Sequence, residues 1–197
     1  MDAYIDFSQP TLYYALANIL FNPLFWNTVA RAEYNHRVLT KLAGGNAYRG
    51  CYILAVTIFS IGIIRDILYH NALDAQPTLA VLDTPLVKAA AAVFFATGSV
   101  LVLSSMWALG VTGTYLGDYF GILMEERVTG FPFNVCENPM YVGSTLNFLG
   151  TALYSASPAG LLLTAIVFVV YEIALTYEGP FTSMIYEKKA EKDAKKK

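Results

Sequence analysis

The chain has 197 residues, 56% of them hydrophobic and 14% charged, with a mean hydropathy of +0.47. That is too apolar and too charge-poor for an ordinary soluble domain, and the sequence reads as an all-α, polytopic membrane protein. A formal net charge of −2 argues against a nucleic-acid partner, which would need a basic face.

Met1 to Pro10 carries Asp2 and Asp6 and no basic residue. It lacks the basic start of a cleaved signal peptide, so the first apolar segment is expected to stay. Residues 11–31 form that segment, and about 20 residues at 1.5 Å each cover the ~30 Å hydrocarbon core. Asn18, Asn22, Pro23 and Asn27 make it unusually polar, which leaves a spanning and a re-entrant helix both open. Trp26 suits a membrane interface. Arg31, Arg37, Lys41 and Arg49 against Glu33 give the connector a formal +3.

A second span is expected over 48–67, ending with Arg65 and Asp66 near an interface, followed by an extended loop from Leu68 to Pro85. Residues 86–109 form the clearest span, whose small residues from Ala89 to Gly98 would let a neighbouring helix or a ligand approach the backbone. A short hairpin helix at 140–155, the turn Ser155-Ala156-Ser157-Pro158 and a strong span at 159–177 follow, and Glu178-Gly179-Pro180 is expected to end that helix. A charged tail occupies 187–197. The whole is one membrane-embedded domain of four or five membrane helices with a C-terminal hairpin. The Lys and Arg distribution turns the Arg31 to Arg49 connector and the tail to the cytosol. A four-span arrangement, with 140–154 at the interface, would invert the first loops. Cys51 and Cys136 have no CxxC spacing and no neighbouring His, so no metal is expected and both read as packing residues.

The stretch from Leu109 to Gly143 is the longest in which charges, glycines and aromatics interrupt the apolar sequence. Asp118, Tyr119, Glu125, Glu126, Arg127, Glu137 and Asn138 beside membrane walls need partners, water or substrate, and they mark the expected site of chemistry. A solvated loop is the plainer reading.

Seven segments carry a resemblance: FNPLFWN (21–27), LDTP (82–85), VLVLSS (100–105), GTYLGDYFGIL (113–123), ENPMYVGST (137–145), SASPAGLLLT (155–164) and YEGPFTSMIY (177–186). In that order they resemble the phosphatidylethanolamine N-methyltransferase family, in particular its short phospholipid methyltransferases, over nearly the whole chain. The chain is more distantly similar to the isoprenylcysteine carboxyl methyltransferases, which have His where Asn138 stands. The resemblance implies methyl transfer from S-adenosyl-L-methionine to the amine of phosphatidylethanolamine-type lipids, mono- and dimethyl forms included, up to phosphatidylcholine. It also implies a cytosol-facing cofactor pocket and a multi-pass location in the endoplasmic reticulum membrane or its mitochondria-associated region.

Methylation of an amine needs in-line positioning and an unprotonated nucleophile. Asp118 is the expected base, with Glu125 and Glu126 behind it. The family's first cofactor motif, GxG, falls on Ala96-Thr97-Gly98, where only Gly98 matches. Its second, a pair of glutamates, falls on Glu178-Gly179, where Glu178 is kept. Thr97, Gly98, Asn138, Pro139, Tyr141, Gly143 and Glu178 are thus the expected cofactor residues, and Tyr115 and Tyr119 the aromatics facing the substrate ammonium. Each has a plainer alternative: a helix cap for Asp118, helix packing for Gly98, an interfacial belt for the tyrosines. Two other functions fit the hydrophobicity. One is a multispan scaffold; the other is an NADPH-dependent, sterol-reductase-like enzyme, whose phosphates would want a basic pocket.

Overall fold

The computed structural model describes residues 4–195; Asp2, in the segment read against a signal peptide, and Lys196 and Lys197 of the charged tail lie outside them. All regular structure among the described residues is helical: α1 (Pro10–His36), α2 (Val38–Leu42), α3 (Ala47–Asp74), α4 (Pro85–Thr114), a short 3-10 turn (Gly117–Phe120), α5 (Pro139–Tyr154) and α6 (Pro158–Ala194). Three segments, Ala47–Asp74, Pro85–Phe120 and Pro158–Lys192, are long and apolar enough to cross a membrane, so the chain is a multi-pass membrane protein.

Local chemistry sets the helix starts. Asn46 accepts from the Arg49 N–H at 3.1 Å, Thr84 accepts from the Val87 N–H at 3.3 Å and Ser157 accepts from the Gly160 N–H at 3.1 Å. Each is a side-chain N-cap, and in LDTP and SASP the cap precedes a proline in the first turn, where its missing N–H costs nothing. The hairpin between α5 and α6 is correspondingly tight.

Two helices outrun the sequence expectation. α3 passes Arg65 and Asp66 and continues to Asp74, so the charged pair lies within the helix and the following loop is shorter than 68–85. Tyr69, Ala72 and Leu73 are buried with Leu12, Ile19, Phe148 and Leu163 in the main core, and this packing carries the helix on. α6 likewise runs through Pro180. The proline ring withdraws a donor from the Thr176 carbonyl, while the adjacent Tyr177 carbonyl accepts from Arg31 Nη2 at 3.0 Å. Beyond it Ile185 is buried, so tertiary contact outweighs the local break.

α1 packs against α3 and α6, with Asn22 buried and donating to the Ile61 carbonyl at 3.4 Å. Asn22 therefore faces the bundle, where its amide finds a partner. The end of α1 is held by the fully buried Glu33. Its carboxylate accepts from the Leu39 and Thr40 N–H groups and from the Thr40 hydroxyl, capping α2.

α4 and α5 meet backbone to backbone. A Cβ on Gly98 would stand 2.4 Å from the Gly143 carbonyl oxygen, one on Gly143 would stand 2.6 Å from the Gly98 carbonyl oxygen, and one on Gly150 would stand 2.8 Å from the Ala91 carbonyl oxygen. Small residues permit this approach, which replaces hydrophobic driving force with close van der Waals contact. Gly143→Val is therefore expected to cost about 1–3 kcal/mol or more, since backbone cannot yield as a flexible side chain does. Thermal unfolding of the detergent-solubilised protein checks it, and an unchanged midpoint would contradict the close packing.

Candidate active site

Three separate segments, α1, the 3-10 turn and α5, converge on one face of α6. Glu178 and Thr182 are four residues apart, so they share that face one helical turn from each other. Glu178 Oε1 accepts from Trp26 Nε1 at 2.7 Å and from Asn27 Nδ2 at 2.8 Å, while its Oε2 accepts from the Tyr141 hydroxyl at 2.5 Å. A carboxylate has about four acceptor sites, so one remains for a ligand donor.

Asp118 arrives from the 3-10 turn. Its Oδ2 accepts from the Thr182 hydroxyl at 3.1 Å and its Oδ1 from the Tyr119 N–H at 3.1 Å. The turn forms because Leu116 takes up a left-handed φ of 62° and because Gly117 has no side chain: a Cβ there would stand 2.6 Å from the Thr112 carbonyl oxygen. Buried Phe120 anchors the turn, and its carbonyl accepts from Arg37 Nη1 at 2.7 Å. Asp118 is thus held by tertiary contacts, and the helix-cap alternative does not describe it: the cap position is Leu116.

Aromatic packing closes the region. The Tyr119 ring stacks on Phe181 with centroids 4.5 Å apart, Tyr34 meets the same ring edge-on at 4.8 Å, and the Arg31 guanidinium lies 5.0 Å from the Phe181 centroid. Two buried polar atoms here lack a partner among the described residues: Asn27 Oδ1 and the Tyr119 hydroxyl. Buried polar groups are normally satisfied, and orphans beside two carboxylates are the pattern a polar ligand would complete. The carboxylates suit an ammonium or ribose hydroxyl, and the aromatics suit a sulfonium or a methylated amine. The residues present therefore fit a cationic methyl donor.

Glu178, Tyr141, Asp118 and Tyr119, all expected from the sequence, come together here. Others do not join them. Glu125 and Glu126 are exposed, beyond the turn, where Lys189 Nζ donates to the Met124 and Glu125 carbonyls at 2.7 and 2.9 Å. Asn138 is exposed at the start of α5, followed by buried Pro139. Thr97 is exposed on α4, and Gly98 and Gly143 face each other across the α4–α5 contact. The Tyr115 carbonyl accepts from the Cys51 thiol at 3.6 Å, which ties it to α3. Gly179, where the family carries a second glutamate, is open: a Cβ there would meet nothing within 4 Å.

Trp26, Asn27, Thr182, Phe181 and Arg31 were not anticipated as site residues. Trp26 points toward Glu178, where its indole N–H finds a part-buried carboxylate. Apart from Arg31, which stood out only as a basic residue of the connector, their sequence signal was membership in FNPLFWN and YEGPFTSMIY, segments that carried the resemblance; spacing does not link residues about 150 positions apart.

A family model described as "Phospholipid methyltransferase" matches residues 86–189. The chain is 61% identical over 98% of its length, and 94% of the relative's, to the phosphatidyl-N-methylethanolamine N-methyltransferase of Emericella nidulans. It is 55% identical, over 98% of itself and 92% of the relative, to the protein of that name from Saccharomyces cerevisiae. With the phosphatidylethanolamine N-methyltransferase of Homo sapiens it shares 50% identity over 95% of the chain and 94% of the relative. No solved structure matches. With the family model covering more than half of the chain, and relatives at this identity covering nearly all of it, the chain belongs to the phospholipid methyltransferase family.

Proposed function

We propose that the protein methylates the amine of phosphatidylethanolamine and of its mono- and dimethyl forms, ending at phosphatidylcholine, in the endoplasmic reticulum membrane with its basic end toward the cytosol. The observation that carries this reading is the pair of carboxylates at one face of α6: Glu178 on the helix itself, bonded by Tyr141, Trp26 and Asn27, and Asp118 from the 3-10 turn, bonded by Thr182 one turn further on. The relatives' names point the same way.

S-adenosyl-L-methionine, when bound, supplies an electrophilic methyl group that needs no metal and no covalent enzyme intermediate. The protein's share is positioning and proton removal. Glu178 offers its remaining lone pair to a cofactor amino group or hydroxyl, with Tyr141, Trp26 and Asn27 fixing the orientation of the carboxylate. Asp118 takes the proton that the lipid amine must lose before it can attack. Tyr119 and Phe181 exclude water beside it. An NADPH-dependent reductase is disfavoured by the two carboxylates, which would repel the phosphates of that cofactor.

Full-length protein reconstituted with phosphatidylethanolamine or its monomethyl form is expected to place label from methyl-labelled S-adenosyl-L-methionine in the phospholipid, read by mass spectrometry of the products. No transfer with either lipid, or consumption of NADPH instead, would overturn the proposal.

A further inference from the structure

α3 carries no charge from Cys51 to Ile64 and then places Arg65 and Asp66 side by side within a membrane-length helix. Arg65 precedes the end of α3 by nine residues, about 13 Å along the axis. An ionisable pair within a helix of membrane-spanning length is expected to face the bundle or a polar cavity, and marks a candidate functional site. Here it does face a cavity. A space of about 220 Å³ opens between α3, α4 and α5, lined on its polar side by Arg65, Asp66, Ser144, Asn147 and Thr151 and on its apolar side by the half-exposed Phe95.

The guanidinium is held firmly and still has capacity. Nε and Nη2 donate to Asp66 Oδ1 at 3.0 and 2.8 Å, Nη1 donates to the Tyr171 hydroxyl at 2.7 Å, and the group lies 4.9 Å from the Phe148 centroid. Five N–H donors less these three leave two. Asp66 is bonded through Oδ1 alone and is the more open member of the pair, with a side-chain exposure of 55% against 16% for Arg65. A cation with spare donors and an anion with a free oxygen thus share one groove that opens toward the half-exposed Phe95.

We propose that this groove binds the headgroup of an aminophospholipid from the side of the bundle, with the phosphate on Arg65 and the ammonium on Asp66. Ser144, Asn147 and Thr151 add neutral hydrogen-bonding groups, and Phe95 lies where the acyl chains leave. Arg suits a phosphate because its planar fork donates two bonds at once. The groove is a separate site from the methyl-transfer centre: Tyr171, which Arg65 touches, precedes Glu178 by seven residues on α6, about 10 Å toward the hairpin end. It rests on its own observations and does not require the methyl-transfer reading.

The test uses full-length protein in phosphate-free maltoside micelles and a phosphatidylethanolamine probe with a photoreactive group on the acyl chain just below the glycerol. Cross-links are expected at Phe95 and within the Ser144 to Thr151 stretch. Arg65→Gln should reduce them about tenfold or more, the loss of a charge-assisted bond. Thr151→Leu fills the groove and keeps both charges, and it should reduce them comparably. Asp66→Asn should weaken labelling by the phosphatidylethanolamine probe and spare a phosphatidic acid probe, which has no amine. Glu178→Gln should leave the groove cross-links unchanged, so failure here is distinct from failure of the methyl-transfer site. Equal labelling of wild type and Thr151→Leu, or equal labelling by a diacylglycerol probe that lacks phosphate, would overturn the proposal. Should Arg65→Gln not fold, Thr151→Leu and Asp66→Asn decide the question alone.

Discussion

Asp118→Asn is expected to lower turnover about 10²–10⁴-fold, the usual cost of losing a general base, with cofactor affinity nearly unchanged. An amide keeps the size of the carboxylate and one acceptor oxygen, so it can still accept from the Tyr119 N–H, and the Thr182 hydroxyl can rotate to pair with the rest. What disappears is basicity. Raising the pH should partly rescue the variant, because the neutral fraction of a lipid amine grows as pH rises and less proton removal is asked of the protein. Initial rates across a pH series, beside calorimetric cofactor affinity, give the readout. Full activity at neutral pH would move the role to Glu125 or Glu126, even though both are exposed in the structure. A variant that does not fold would make Asp118 an anchor for the 3-10 turn through Thr182.

Glu178→Ala is expected to weaken cofactor binding about ten- to a hundredfold, the equivalent of roughly 1.5–3 kcal/mol for one charge-assisted hydrogen bond. It should also lower the unfolding midpoint. The carboxylate accepts from Trp26, Asn27 and Tyr141, and removing it leaves three donors in the bundle without that acceptor, at about 1–3 kcal/mol for each that stays unsatisfied. Tyr141→Phe separates the two effects. It deletes a single hydroxyl and keeps the ring against Tyr171, whose centroid is 5.0 Å away, so the fold should hold while the orientation of Glu178 loosens and affinity falls. Calorimetry and thermal unfolding on both variants are the measurements, and wild-type affinity in both would remove Glu178 from the cofactor site.

Gly98 illustrates where reading a motif residue by residue stops short. Aligned with the family's GxG, it carried an expectation of backbone approach, and the structure does show an approach, between α4 and α5. The partner is Gly143, itself expected at the cofactor. Asn147, whose Oδ1 would stand 2.4 Å from a Cβ on Gly98, also lines the groove beside Arg65. One small-residue seam thus sets the distance between α4 and α5 that shapes the groove wall.

The all-helical membrane architecture was legible in the sequence because bilayer thickness and the backbone's need for internal hydrogen bonds leave few choices to an apolar segment of that length. The turn at Ser155-Ala156-Ser157-Pro158 was legible too, since such a signal acts within one helical turn and needs nothing from the rest of the chain. The lengths of α3 and α6 were not. Arg65 and Asp66 resemble a membrane boundary and Pro180 resembles a helix end, and in both places the burial of residues further on, Tyr69 and Leu73 in one case and Ile185 in the other, carries the helix through a local signal to stop. The site divides the same way. Asp118 could be named because a charge in an apolar chain is conspicuous, whereas Tyr141 and Glu178 were named through the family motifs that their segments resemble. That Trp26 and Asn27 hold Glu178, and that Thr182 holds Asp118 one turn away, is decided only when α1, α5, α6 and the 3-10 turn pack together, since hydrogen bonds between residues 64 to 152 positions apart leave no periodicity in the sequence.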